Sequence, residues 1–248
     1  YEHAVSAGGS PKDIETILQL MYLNFTAPRF DETDLQNLKN MYVPYFRNME
    51  ADPGYLMGKA FQETLYQNHV RRQATSAAQI ESLNLETLAS VHKQLFSYAD
   101  DFRFVIAGNV DLNTLKPLVE KYIGSLPTSK KVEYAVVDDG VRTATGKVTN
   151  DFRVAMQQPK VSVYLTFSGA IEDNAKNRLV LDLLTRALDS RYMVSIREEK
   201  GGTYGVHVQG GINEYPVEQY MAIIVFDTNE QLADELIDIC DAEIAKIA

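Results

Sequence analysis

The sequence predicts an α+β fold made of two related domains. Its helical segments carry apolar residues at three- and four-residue spacing, whereas short segments rich in valine, isoleucine and aromatic residues are typical of strands. A pattern of strand, acidic turn and helix occurs at 102–123 and again at 220–244. We therefore expect a duplicated unit, with helices layered on a largely antiparallel sheet in each copy.

Four helices are predicted in the first 100 residues. Their starts carry residues that cap or open helices, namely Ser10-Pro11, Asp31, Asp52-Pro53 and Asn84. The segment DFRFVIAGNV at 101–110 then predicts a buried strand. A short helix follows the turn at Asp111 and ends near Gly124.

The chain changes character after residue 127, where a polar stretch without helical period follows a proline. We therefore predict a first domain at 1–128, a linker at 129–147 and a second domain at 148–248. The second domain is expected to hold a strand, a helix, two adjacent antiparallel strands and a closing helix. In the first of these helices the predicted inward-facing residues are Leu179, Val180, Leu183, Leu184, Ala187 and Leu188.

Composition excludes some classes of function. The net charge of −10 and the scattered basic residues argue against a nucleic-acid partner, which needs a basic face. No apolar run approaches the ~18 residues of a membrane span. Cys240 is the only cysteine, so no intrachain disulfide and no cysteine-based zinc cluster can form.

The histidines do not predict a metal site in this chain. None of His3, His69, His92 and His207 lies within four residues of another, and the helical HxxEH pattern of zinc peptidases does not occur. The apolar surroundings of His92 favour a satisfied core histidine. His69 lies in a polar loop, where a surface or capping role is expected.

Nucleophilic and phosphate-binding motifs are also missing. Cys240 continues a helical apolar stripe and is interpreted as a small buried hydrophobic residue. The chain contains no GxSxG, and GGTYG lacks the lysine and glycine spacing of a phosphate loop. The carboxylate pairs Asp100-Asp101 and Asp138-Asp139 are interpreted as turn residues.

The segment REEKGGTYGV at 197–206 admits two interpretations. In the structural one, which spacing alone favours, Gly201-Gly202 ends a helix and Tyr204 packs as a strand aromatic. In the functional one, Tyr204 offers a neutral donor to a developing oxyanion and Arg197 a fixed fork for a peptide carbonyl or carboxylate. The glycines would then let the backbone approach an extended ligand closely.

A family resemblance bears on this choice. REEKGGTYGVHVQGGINEYPVEQYMAIIVF resembles the C-terminal half of bacterial zinc peptidases of the insulinase/pitrilysin family. SPKDIETILQLMYLNFTAPRFDETDLQNLK and FVIAGNVDLNTLKPLVEKYIGSLP are similar to the recurring domain patterns of that family. The resemblance implies a mitochondrial-processing-peptidase-like fold, in which two lobes of paired α+β domains close around a peptide.

The resemblance also implies roles for the corner residues. Tyr204 would be catalytic, stabilising the tetrahedral intermediate at a zinc ion held by the facing lobe. Arg197 would hold the substrate backbone, while Gly201 and Gly202 would shape the substrate-binding corner. Because this chain lacks HxxEH, it resembles only the metal-free lobe and is predicted to be inactive alone, without a cofactor of its own.

The predicted function is therefore the C-terminal, non-zinc-binding lobe of a zinc-dependent metalloendopeptidase. Its expected partners are a peptide substrate and a complementary HxxEH lobe, in the same chain or in another. The alternative is a non-catalytic scaffold or peptide-binding subunit of the same fold. The resemblance favours the periplasm over the cytoplasm.

Overall fold

A computed structural model describes residues 4–129, 137–198, 200–203 and 205–247. Single 3₁₀ turns occur at Pro11–Asp13 and Val70–Arg72. The helices are α1 (Ile14–Thr26), α2 (Glu32–Met49), α3 (Pro53–Leu65), α4 (Ala77–Ser82), α5 (Leu85–Phe96), α6 (Leu112–Tyr122), α7 (Ala175–Tyr192) and α8 (Ala233–Ala245). The strands are β1 (Val161–Ala170), β2 (Val206–Asn213) and β3 (Gln219–Thr228), and a π-helical stretch at Met193–Glu198 continues α7.

The chain divides into two compact units, one of residues 1–49 and 75–135 and the other of 50–74 and 136–248. The predicted boundaries differ from these units, because 50–74 belongs with the second unit. The described part of the predicted linker also packs there. Val141 is buried, and the backbone N–H of Ala144 donates to the carbonyl oxygen of Leu65 at 2.7 Å.

Helices and aromatic contacts build the first unit. The hydroxyl of Tyr122 on α6 donates to Glu15 Oε1 on α1 at 2.8 Å. Phe25, also on α1, packs edge-on against Phe96 and Phe102, with ring centroids 5.5 and 4.9 Å away. These contacts join α1 to both α5 and α6.

The predicted buried strand at 101–110 is wrong. The segment is not a strand in the structure, and Val105 is 79% exposed. No strand occurs among the described residues of the first unit. The physical reason is that a strand needs a neighbour for its ladder. Here Phe102 and Phe104 instead pack against the ring of Phe25.

The second unit contains a three-stranded antiparallel sheet in the order β1-β3-β2, which confirms the α+β class. Val163 pairs with Phe226 and Val206 pairs with the same residue from the other side. The core lies between one face of this sheet and the pair α7 and α8. Its buried members are Val163, Leu188, Tyr192, Ile196, Val206, Ile224, Phe226, Leu236 and Cys240.

Helix α7 uses a different face from the predicted one. Its buried residues are Leu181, Thr185, Leu188 and Tyr192, spaced four, three and four apart. Of the predicted inward-facing set only Leu188 is buried, and the other five are exposed. The helix carries two apolar stripes, so the helical period alone cannot select which one meets the sheet.

The opposite face of the sheet is partly covered. Helix α3 and the segment at 141–144 pack over its half farther from Val206, where Leu65, Tyr66 and Val141 form a small core with Met221. His69 caps the 3₁₀ turn that follows α3, which confirms its predicted capping role. Its Nδ1 accepts from the Arg71 N–H at 3.3 Å, so Nε2 donates to the Asp139 carbonyl at 3.1 Å.

Cys240 is fully buried, as predicted, and its carbonyl accepts from the Tyr192 hydroxyl at 3.0 Å. Burial raises the pKa of the Cys240 thiol to about 12. Because the thiolate is the reactive form, we expect no reaction with an aromatic disulfide reagent at pH 8 in the folded protein. The thiol should become reactive only with unfolding in urea. Rapid stoichiometric labelling of the native protein would contradict this.

Candidate functional site: the helix–strand corner of the second unit

The corner begins where α7 widens into the π-helical stretch. Ile196 in this stretch is fully buried, whereas the next residue, Arg197, is exposed. Single π-helical turns are rare in proteins, but those that occur are often found at functional sites. In the part of the chain that the structure describes, the Arg197 guanidinium has neither a hydrogen bond nor an ion pair. This exposed guanidinium therefore has no partner among the described residues.

Gly201 closes the helix. Its φ is +60°, in the left-handed region that favours glycine, and its N–H donates to the carbonyl oxygen of Arg197 at 3.1 Å. The Gly202 N–H also donates to the carbonyl oxygen of Ile196 at 3.4 Å, so two backbone hydrogen bonds accompany this left-handed helix end. The structural part of the sequence prediction, that the glycine pair ends a helix, is therefore confirmed.

Gly202 has a different reason for lacking a side chain. It is buried, and a Cβ added there would lie 2.9 Å from Leu236 Cδ1 on α8. Its carbonyl oxygen accepts from the Thr228 hydroxyl at 2.6 Å, which ties the corner to the end of β3. Neither Thr228 nor Leu236 carries a local sequence signal of contact with the glycine pair.

Tyr204 lies outside the described residues, so its predicted role stays a prediction. The residues on either side of it, Thr203 and Gly205, are hydrogen-bonded to each other. The Thr203 hydroxyl donates to the carbonyl oxygen of Gly205 at 2.9 Å and accepts from the Gly205 N–H at 3.2 Å. The structure thus brings Arg197, Gly201 and Gly202 together at one corner.

Polar contacts fix α7 relative to its neighbours. Asp189 Oδ1 accepts from the backbone N–H of Val208 on β2 at 3.0 Å. On α8, Glu243 accepts from Lys246 at 2.5 Å and from Arg191 of α7 at 2.6 Å. The pKa of the Glu243 carboxyl is lowered by these two hydrogen bonds, and the bond from Lys246 has the larger effect. The base of the corner is therefore held by α7, α8 and β2 together.

The other sequence predictions about sites have mixed outcomes. Within 4–129, 137–198, 200–203 and 205–247, no group of three or more His, Cys, Asp or Glu side chains is placed to hold a metal ion. His92 stacks on Phe96 with ring centroids 4.8 Å apart. Its buried Nε2 has no hydrogen-bond partner in the described chain, so the prediction of a satisfied core histidine is wrong. In the same ranges no helix is both long and apolar enough to span a membrane.

Comparison with known proteins decides the family. The family described as the peptidase M16 inactive domain matches residues 82–248. This chain belongs to the M16 peptidase family. The matching part is the domain described as inactive in that family.

Relatives of this M16 inactive domain are zinc proteases by name. The chain is 22% identical over 251 residues to the probable zinc protease PqqL of Escherichia coli K12, covering 98% of this chain and 26% of that protein. A zinc protease PQQL-like protein of Arabidopsis thaliana is 23% identical, with 95% of this chain and 26% of the relative covered. The chain thus spans about a quarter of the length of these relatives.

Solved structures show the same fold. The crystal structure of the periplasmic protease PqqL from E. coli matches with a TM-score of 0.76 and 22% identity, over 95% of this chain and 26% of that one. The separately solved first half of the same protease matches with a TM-score of 0.65 and 10% identity, over 95% of this chain and 51% of that one. These matches, both at less than 25% identity, show that the chain shares its fold with parts of this protease.

Proposed function

We propose that this chain is the metal-free lobe of a zinc-dependent endopeptidase and that its glycine corner binds the substrate backbone. The observation that carries the proposal is the exposed Arg197, which has no partner among the described side chains and follows the fully buried Ile196. An arginine left to solvent in this way is available to a ligand carbonyl or carboxylate. The family match supports this function, because the relatives are named zinc proteases.

In the proposed reaction the Arg197 fork orients the extended peptide by its carbonyl groups. Tyr204 donates a hydrogen bond from its hydroxyl to the oxygen that becomes negative when the scissile carbonyl is attacked. Among the described residues, no group of three or more His, Cys, Asp or Glu side chains is placed to hold zinc. We therefore assign zinc to a complementary HxxEH lobe, where it would supply activated water.

A second candidate is a peptide-binding subunit that keeps the fold without the chemistry. The family description as an inactive domain favours it. In that case Arg197 would bind a peptide that is not cleaved. We also propose a periplasmic location, supported by the relative that is described as a periplasmic protease.

The test is cleavage of a pool of quenched fluorescent peptides by the complete natural polypeptide, with and without a zinc chelator. We expect cleavage that the chelator removes and that zinc restores, and no cleavage by the 248-residue chain alone. Peptide binding without cleavage by the well-folded complete polypeptide would favour the second candidate. Cleavage insensitive to the chelator would contradict a zinc peptidase.

A further inference from the structure

One side of the sheet carries a row of three residues that leads away from the corner. Val225 on the central strand pairs with Tyr164 of β1 on one side and with His207 of β2 on the other. All three alternate with core residues along their strands, so they share the face opposite α7 and α8. We name this set the open row.

The open row is accessible, whereas the row of Met221 and Ser168, farther along the same face, is covered. Tyr164 is 38% exposed, His207 is exposed and Val225 is half-buried. Farther along the face, the Thr143 hydroxyl accepts from Ser168 at 3.1 Å, within the segment that covers that half of the sheet. Helix α3 borders the row through Phe61, whose ring centroid is 5.4 Å from that of Tyr164.

The open row lies beside the corner. Residue 207 is five positions after Gly202, and the His207 ring is directed back along the strand: a Cβ added at Gly205 would lie 3.7 Å from its Nε2. At the other end of the strands, β2 and β3 turn at residues 214–218. We take a peptide held by Arg197 to run from the corner onto this face, where an extended chain advances about 3.3 Å per residue.

The chemistry of the open row selects a neutral, flat side chain. A phenol ring, a branched aliphatic side chain and an imidazole stand on adjacent strands, where Cβ atoms are about 4.5–5.5 Å apart. Asp227, a carboxylate in the adjoining row of this face, accepts from Lys160 at 2.7 Å and from Ser162 at 2.5 Å. Its charge is thus already compensated, and the row itself offers ring faces to an aromatic ligand.

We infer that Tyr164 and His207 are specificity-determining residues that receive an aromatic side chain of the peptide substrate. This inference rests on the proposed function, because it assumes that an extended peptide lies at the corner. Phe61 keeps the Tyr164 ring in place, and Val225 forms the floor between the two rings. Charged side chains would lose hydration here without gaining a partner, so they are disfavoured.

The first arm of the test measures kcat/KM of the complete natural polypeptide on peptide pairs that differ by phenylalanine or alanine at one position. At the peptide position that the open row receives, we expect kcat/KM to be about 10-fold or more higher for phenylalanine than for alanine. A difference of this size is typical of a hydrophobic subsite. His207→Ala and Tyr164→Ser should each reduce this preference towards one, mainly through KM. His207→Phe and Tyr164→Phe keep a flat ring and should retain it.

The matched control is Gln209→Ala, which alters an exposed side chain in the next row of the same face. It should leave the preference unchanged. If the alanine and serine variants cleave both peptides of each pair like the unaltered polypeptide, the inference is overturned. That result is also expected if another part of the natural polypeptide covers the open row.

The second arm separates failure of the subsite from failure of the proposed function. This arm uses the 248-residue chain, which contains no tryptophan, so the fluorescence of a tryptophan-containing peptide reports its binding without background. Saturable binding that His207→Ala weakens supports the subsite even if no peptide is cleaved, and in that case only the hydrolytic function fails. Cleavage without any aromatic preference overturns the subsite and leaves the function, whereas absence of both binding and cleavage overturns both.

Discussion

Replacing Tyr204 by phenylalanine in the complete natural polypeptide is expected to lower kcat by about 10²–10³-fold, the loss typical when one oxyanion donor is removed. The phenylalanine keeps the ring and removes only the hydroxyl that would donate to the developing negative charge. Since this hydrogen bond forms fully only in the transition state, KM should change little. Steady-state kinetics on a cleaved fluorescent peptide provide the measurement.

Tyr215→Phe is the matched control for this experiment. Tyr215 is 50% exposed and lies in the turn at the far end of β2, so loss of its hydroxyl should leave both kcat and KM unaltered. Arg197→Ala gives the complementary pattern, a higher KM from weaker binding of the substrate backbone. Near-normal turnover by the Tyr204→Phe polypeptide would remove the oxyanion role and leave the corner as a binding surface.

The features that the sequence predicted well are those specified by a few neighbouring residues. The side chain of Asp52 accepts from the Tyr55 N–H at 2.9 Å and opens α3 as predicted. Asp111, predicted as the turn before a helix, caps α6 and accepts from the Thr114 N–H at 2.9 Å. The helix end at Gly201 belongs to this class, because its positive φ depends on glycine alone. Capping is a local property and can be read from three or four residues.

The features that the sequence did not predict depend on distant contacts. The segment at 101–110 has the composition of a strand, yet the described part of its unit contains no strand that pairs with it. On α7, Leu183 and Thr185 lie on different faces, and the sheet packs against the threonine. Which apolar stripe is buried depends on the partner surface, which a single helix does not encode. For the same reason, the sequence does not predict the contact between Leu236 and Gly202.

Leu236→Ala is expected to reduce the free energy of unfolding by about 2–5 kcal/mol, the cost of removing a fully buried leucine. Gly202→Ala alone should cost about 1–3 kcal/mol, because its Cβ would be forced against the leucine side chain. Urea unfolding followed by circular dichroism gives both values. The same variants test whether α8 shapes the corner that presents Arg197.

The double variant is the sharper measurement. With the leucine truncated, the Cβ at position 202 occupies part of the vacated space, so Gly202→Ala should cost less by about 0.5–3 kcal/mol than it does alone. Leu65→Ala is the matched control, since Leu65 is also buried but lies on the other face of the sheet. Its effect should add to that of Gly202→Ala within about 0.5 kcal/mol. Additivity for Leu236 as well would mean that something other than this leucine requires glycine at the corner, and the corner would then owe its shape to the chain around Tyr204 rather than to α8.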